Sequence, residues 1–128
     1  MGKMSKRKGA AGEREAAAFL NDVLGTSYYR GRQYHGGHDS PDLAGGIPGL
    51  QIEVKRTETL HLWPALQQAS QDASTNQVPV VMHRPSRKPW VIIVEAENLI
   101  RLVDAIAEAL EELAGRNSEN NPNPGAEP

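Results

Sequence analysis

The chain has 128 residues, a formal net charge of −2 and no cysteine. That length suits one ordinary domain, which buries roughly two-thirds of its unfolded surface and needs no covalent staples. The lack of cysteine excludes a disulfide framework and a thiolate metal site. No apolar run approaches the ~20 residues of a membrane span, and no apolar segment follows the basic start to make a signal peptide; a cytoplasmic protein without membrane contact is the expectation.

Charge is unevenly spread. Residues 1–60 hold nine Lys/Arg (3, 6, 7, 8, 14, 30, 32, 55 and 56) against seven acids, and residues 98–128 hold two against six. The front half therefore reads as an electropositive face whose average is lowered by an acidic tail.

In chain order, "MGKMSKRK" (residues 1–8) reads as a flexible basic arm. From Gly9 to Leu24, Ala16, Phe19, Leu20, Val23 and Leu24 recur at helical spacing, and Gly25 predicts the stop. "TSYYRGRQY" is strand-like with interleaved cations, and "HGGHDSPD" is loop-like. Asp42–Leu43–Ala44 and Leu50–Lys55, separated by "GGIPG", predict a hairpin. "LWPALQQASQDAS" predicts a helix with Pro64 in its first turn. "VPVVMHR" and "PWVIIVEA" predict two strands buried on both faces. Asn98 is placed to cap a helix running to about Ala114, with Leu99, Leu102, Val103, Ile106, Leu110 and Leu113 on one stripe and Gly115 ending it. Residues 116–128 are polar and rich in Asn and Pro, the composition of a disordered acidic tail. The order α-β-β-β-α-β-β-α predicts an α/β domain over residues 9–115, a mixed central sheet flanked by helices.

The strand "LQIEVK" concentrates the chemistry. Alternation predicts Leu50, Ile52 and Val54 toward the core and Gln51, Glu53 and Lys55 on the opposite face. With Asp42 entering from the neighbouring segment, two carboxylates and an ammonium gather at one sheet edge. Carboxylate oxygens suit Mg²⁺ or Mn²⁺, with the Val54 carbonyl as a third ligand. Coordination lowers the pKa of a bound water, and Lys55 is placed to orient or deprotonate it beside a phosphate. Glu13 falls on the buried stripe of the first helix, where a lone charge is costly and a metal, direct or through water, gives it a reason. Glu15 is expected to be an exposed helix charge. Taken singly, a Glu-x-Lys pair is an ordinary surface ion pair and "PD" an ordinary turn; the combination carries the reading.

"SPDL…IEVK" resembles the signature of the PD-(D/E)xK nuclease superfamily, and "RKGAAGEREAAAFL" is similar to the N-terminal helix of the archaeal-type Holliday junction resolvases within it. The likeness covers roughly residues 6–57 well and 75–96 loosely. It implies a restriction-endonuclease-like fold, a homodimer, and Mg²⁺-dependent endonucleolytic hydrolysis of branched or four-way-junction DNA in recombination or repair. It places the catalytic and metal-site carboxylates on Glu13, Asp42 and Glu53 and the catalytic lysine on Lys55. The loop at residues 33–41 is longer and richer in Gly and His than in the archaeal proteins, and "LHLWPALQQASQDA" and "HRPSRKPW" look more like phage-encoded relatives, for which the location is the host cytoplasm. Some superfamily members carry a glutamine on the helix after the motif strand; among Gln67, Gln68 and Gln71 the expectation falls on Gln68.

Lys6, Arg7, Lys8, Arg14, Arg30, Arg32 and Arg56 are expected to contact DNA phosphates, which position a duplex without reading its sequence. His35 and His38 flank "GG" in a substrate-facing loop, without the third ligand a zinc site needs. His61 and His83 read as structural or surface groups. Trp63 and Trp90 are residue types that stack on bases but more often pack in a core or a dimer interface. Three rivals stand beside junction resolution. The first is another endo- or exonuclease of the superfamily, of phage or restriction type. The second is a non-catalytic DNA-binding module with this fold. The third is an interaction protein acting through the helix at 98–114.

Overall fold

The computed structural model describes the backbone of residues 3–31 and 42–120, with side chains described over 9–31 and 42–116. Helix α1 spans Lys3–Leu24, strand β1 Tyr29–Arg30, β2 Leu43–Ala44, β3 Leu50–Lys55, helix α2 Leu62–Asp72, β4 Val78–His83 and β5 Val91–Ile93; a short 3-10 turn, Ala96–Asn98, leads into α3, Leu99–Asn120. The element order is the one the sequence predicts. The chain is a mixed α/β fold.

β3 and β4 are parallel and joined through α2, whereas β4 and β5 are antiparallel, giving a three-stranded mixed sheet in the order β3-β4-β5. β1 and β2 form a separate antiparallel pair, Tyr29 opposite Ala44 and Arg30 opposite Leu43. The predicted hairpin between Asp42–Ala44 and Leu50–Lys55 is therefore not formed: β2 turns back to β1. The reason lies in the turn. Gly45 has φ +85° and sits against the Tyr29 ring, and Gly46 packs against the ring of Tyr28. The Tyr28 hydroxyl then accepts the Ile47 N–H at 2.9 Å. A side chain at either glycine would collide with these rings, so the glycines serve a β1 contact.

Each face of the sheet has its own core. Ala16, Ala17 and Leu20 of α1 pack with Ile52, Val78, Val80 and Met82, and Leu102, Ala105, Ile106 and Ala109 of α3 close the same cluster. On the other face Ala65, Leu66 and Ala69 of α2 cover Val81. Burying these apolar faces supplies the main stabilisation of the fold, about 25 cal/mol per Å² removed from water.

The helix ends follow local chemistry, with one exception. Gly25, at φ +71°, ends α1 and donates its N–H to Asn21 O. The Asn21 side chain then fixes the exit, accepting from Thr26 Oγ1 and the Tyr28 N–H and donating to Tyr28 O. Gly115 does not end α3, which continues to Asn120 and takes in part of the segment expected to be disordered. A glycine inside a helix costs only about 1 kcal/mol relative to alanine, too little to stop a helix that no αL turn terminates. α1 likewise begins at Lys3 and includes most of the stretch read as an arm. β4 is buried along five of its six residues, but β5 is not buried on both faces: it is the edge strand, and Val91 and Ile92 are about half exposed. Among the described residues, no helix is long and apolar enough to cross a membrane.

Candidate active site at the free edge of β3

Five elements deliver side chains to the free edge of β3. β1 sets the first position: the Gly31 N–H donates to Asp42 O at 2.9 Å, which extends the β1–β2 pairing by one residue and fixes the Asp42 backbone. Its carboxylate reaches across to β3, where Oδ2 accepts the Val54 N–H at 2.9 Å. Within a strand the N–H and C=O of one residue point to the same side, so the Val54 carbonyl faces the edge that holds Asp42. Glu53 and Lys55, on either side of Val54, share a face, and Lys55 Nζ lies 3.3 Å from Glu53 Oε2. From α2, the Gln68 side chain accepts from Lys55 Nζ at 3.4 Å.

Alternation along β3 does not separate a dry face from a wet one. Gln51 and Glu53, predicted opposite the core, are 5 % and 4 % exposed because α2 covers their face. Glu53 lies opposite Val81 in the ladder, in the second core. The carboxylate is thus largely desolvated. Burial, and then repulsion from Asp42, push its pKa up to about 7 against the opposing pull of Lys55. Burial also raises Asp42, although the Val54 N–H and Lys55 pull the other way.

Glu13 arrives from α1, mostly buried, and forms an ion pair with Arg30 of β1, Nε to Oε1 at 2.7 Å. Burial and the neighbouring Asp42 nevertheless raise its pKa. Glu13 is thus a neighbour of Asp42, held by Arg30. Asp72, which the sequence reading missed, adds a repulsive charge felt by both Asp42 and Glu53. It sits one helical turn after Gln68 on α2, and that i, i+4 spacing was the available signal.

Glu15 is the clearest departure from expectation. It is only half exposed, and it accepts from Arg56 Nε at 3.2 Å and from Arg84 Nη1 at 2.6 Å. Arg56 also donates to Arg84 O. Gly12 permits this: a Cβ there would lie 2.7 Å from the Arg56 Cβ, so only glycine lets α1 approach the end of β3 so closely. Desolvation pushes the Glu15 pKa up, but the hydrogen bonds from Arg84 and Arg56 outweigh it and hold it below the usual value.

Of the predicted phosphate contacts, Arg30 and Arg56 are engaged by Glu13 and Glu15, and Arg14 is exposed on α1. The side chains of Lys6, Arg7 and Lys8, and residues Arg32, His35 and His38, lie outside the described residues. His83 donates through Nε2 to Thr57 O, and His61 stands at the start of α2 without a capping bond. Trp63 is 68 % exposed on α2, and Trp90 packs against the main core.

Among the described residues no three Asp, Glu or His side chains are drawn together as a ligand cluster. The edge offers two carboxylates as direct ligands, Asp42 and Glu53, with Glu13 beside Asp42, and a carbonyl directed to the same side. Mg²⁺ is usually held by one or two carboxylates and keeps several of its waters. The donor set fits such an ion, and burial raises the pKa of both carboxylates, a cost that a bound cation would offset. No protein-family model, curated protein or solved structure matches this chain.

Proposed function

We propose that the chain is a metal-dependent DNA nuclease of the PD-(D/E)xK class with a restriction-endonuclease-like core, acting as a structure-selective endonuclease on four-way junctions. The observation that carries this reading is the position of the Asp42 carboxylate. It accepts the N–H of Val54, the residue between Glu53 and Lys55, so the aspartate, glutamate and lysine of "PD…EVK" meet at one strand edge although Asp42 lies 12 residues from Val54. The sequence resemblance supplies the reaction class, and the excess of anionic groups at the edge supports a divalent ion.

Asp42, Glu53 and the Val54 carbonyl would hold Mg²⁺ or Mn²⁺. Bound there, the ion supplies a water of lowered pKa and a positive charge next to the attacked phosphate. Asp42 is held in place by the Val54 N–H. Glu53 is kept in a dry wall by α2, where its charge interacts more strongly than it would in water. Lys55, anchored by Glu53 and Gln68, presents its ammonium at the same edge to orient the nucleophile and offset charge developing on the phosphate. Glu13 takes no direct ligand role here; held by Arg30, it keeps Asp42 in an anionic setting that favours a cation. Cleaving both strands at a junction needs two sites, so the proposal includes a two-fold dimer.

The test is cleavage of labelled four-way junctions and of linear duplex with Mg²⁺ or Mn²⁺, using the wild-type chain, Asp42→Ala and Lys55→Ala. Junction cutting lost in both variants is the expected result. Equal cutting of linear duplex would leave the chemistry and replace the substrate with that of another superfamily nuclease. DNA binding with no metal-dependent cutting would overturn the enzyme and leave a binding module.

A further inference from the structure

Between residues 57 and 100 the chain carries three Lys or Arg side chains, and all three, Arg84, Arg87 and Lys88, lie in the connection from β4 to β5. This connection stands at the end of the sheet where Lys55 emerges. Lys55 pairs with His83 in the ladder, and the next residue, Arg84, donates its N–H to Lys55 O at 3.1 Å.

The turn is fixed at several points. The Glu58 carboxylate accepts the Ser86 N–H at 2.8 Å, Arg84 Nε donates to Lys88 O, and the Lys88 N–H reaches Pro85 O at 3.4 Å. Arg84 is in turn held by Glu15 of α1. At the apex Arg87 has φ 66°, the one non-glycine positive φ among the described residues. Turns place glycine or asparagine in that region, because a Cβ crowds the backbone there. A long cationic residue in a glycine conformation is a local conflict, and such conflicts persist where surrounding bonds enforce them and gather at functional sites.

Charge pairing sharpens the contrast. Arg30, Arg56 and Arg84 each face a glutamate, whereas Arg87 and Lys88 are exposed and, among the described residues, no ion pair reaches them. Three residues from Arg84 span at most about 10 Å, and one DNA strand advances about 3.4 Å of axis per phosphate. Arg87 and Lys88 are therefore within reach of the phosphates next to one lying against Lys55.

We infer that the Pro85–Lys88 turn is a rigid DNA-backbone clamp, in which Arg87 and Lys88 bind phosphates flanking the one cut at the β3 edge. This rests on the nuclease reading. It assigns backbone contacts to a segment outside the basic front half, and it gives Arg87 a purpose its backbone conformation does not.

The experiment measures binding to labelled four-way junction and linear duplex by fluorescence anisotropy, without divalent metal, across a range of salt. Arg87→Gly removes the cation and relaxes the turn, and Lys88→Gln removes the second cation at an exposed position. The double variant is expected to bind both DNAs about tenfold more weakly, with the log–log salt slope reduced by about 1 to 2, since each lost phosphate contact removes roughly 0.9. Each single variant loses about half of that, and Arg87→Lys recovers most of the slope lost in Arg87→Gly. Arg87→Gly also melts at or above the wild-type temperature, which separates a lost contact from a lost fold. An unchanged slope in either folded single variant overturns the clamp. If wild type binds and cuts DNA while the slopes stay the same, the clamp alone falls; if wild type binds neither DNA, the nuclease reading falls with it.

Discussion

Two glutamates two residues apart on α1 sit in opposite electrostatic worlds. Glu13 faces Asp42 at the β3 edge, and burial and that neighbouring carboxylate raise its pKa against the pull of Arg30; Glu15 faces Arg56 and Arg84, whose hydrogen bonds lower it. A carboxylate with a lowered pKa strengthens the fold by being charged. A carboxylate with a raised pKa weakens it by being charged. The Arg56–Glu15–Arg84 cluster therefore explains itself as a brace between α1, the end of β3 and the β4–β5 connection. The Glu13–Asp42–Glu53 edge does not, and its cost to stability is the physical ground for assigning it a role beyond folding.

The largest effect is expected at Asp42. Asp42→Asn is expected to reduce metal-dependent junction cleavage by about a thousandfold or more, because both the ligand and its charge are lost. Glu15→Gln is expected to leave the cleavage rate of the folded protein within about twofold. Single-turnover assays on the two variants side by side distinguish the edge from the brace; a comparable loss in both would erase the distinction.

Glu53→Gln separates function from stability. Cleavage is expected to disappear while the metal-free protein gains on the order of 2–3 kcal/mol at pH 8, since a pKa raised from 4.5 to about 7 means that ionisation opposes folding. The folded state binds the proton more tightly, so this stabilisation is complete below about pH 4.5 and is lost as pH rises through about 7. Urea unfolding of wild type and variant at pH 4 and pH 8 reads the difference, which should be near zero at the acidic end. A variant no more stable than wild type at pH 8 would show that Glu53 is not a strained anion.

Divalent metal should relieve the same strain. Mg²⁺ at ten times its dissociation constant is expected to stabilise the wild-type chain by about 1.4 kcal/mol, visible as a raised melting temperature at pH 8, and to leave Asp42→Asn unmoved. An equal shift in both would place the ion elsewhere.

The smallest effect belongs to the brace. Glu15→Gln is expected to cost about 1 kcal/mol at pH 7, because the ion pairs are partly exposed and weakened by solvent. Its lowered pKa gives the opposite pH dependence to that of Glu53. The contribution is present above the unfolded value near 4.5 and vanishes as pH falls through the folded one. Melting curves at pH 7 and pH 3 test this, with the two proteins converging at the acidic end.

Local chemistry was legible in the chain itself. Helical spacing gave α1 and α3, Pro64 marked the first turn of α2, Gly25 gave the end of α1, and the runs of Val and Ile gave β4 and β5, because propensity and periodicity act over a few residues. The grouping of Asp42, Glu53 and Lys55 was visible as a set of residue types on identifiable elements, and Gln68 entered only through the family resemblance. Pairing was not legible: the tight-turn glycines at 45 and 46 looked like a β2–β3 hairpin and instead accommodate Tyr28 and Tyr29. Nor was the environment of Glu15, whose arginine partners lie 41 and 69 positions away.

The amino-acid order alone sets the list and sequence of elements, the identity of the acidic and basic groups, and the strand that carries Glu53 and Lys55. These follow from short-range sterics and hydrophobic period. The tertiary structure alone decided which carboxylates are strained and which are satisfied: α2 buries the face of β3 that carries Glu53, β1 pulls β2 and Asp42 to the free edge, and Gly12 lets α1 approach Arg56. Charge energetics depend on desolvation and on neighbours remote along the chain, so two glutamates that look alike on one helix become a brace and part of a candidate catalytic edge only once the chain has folded around them.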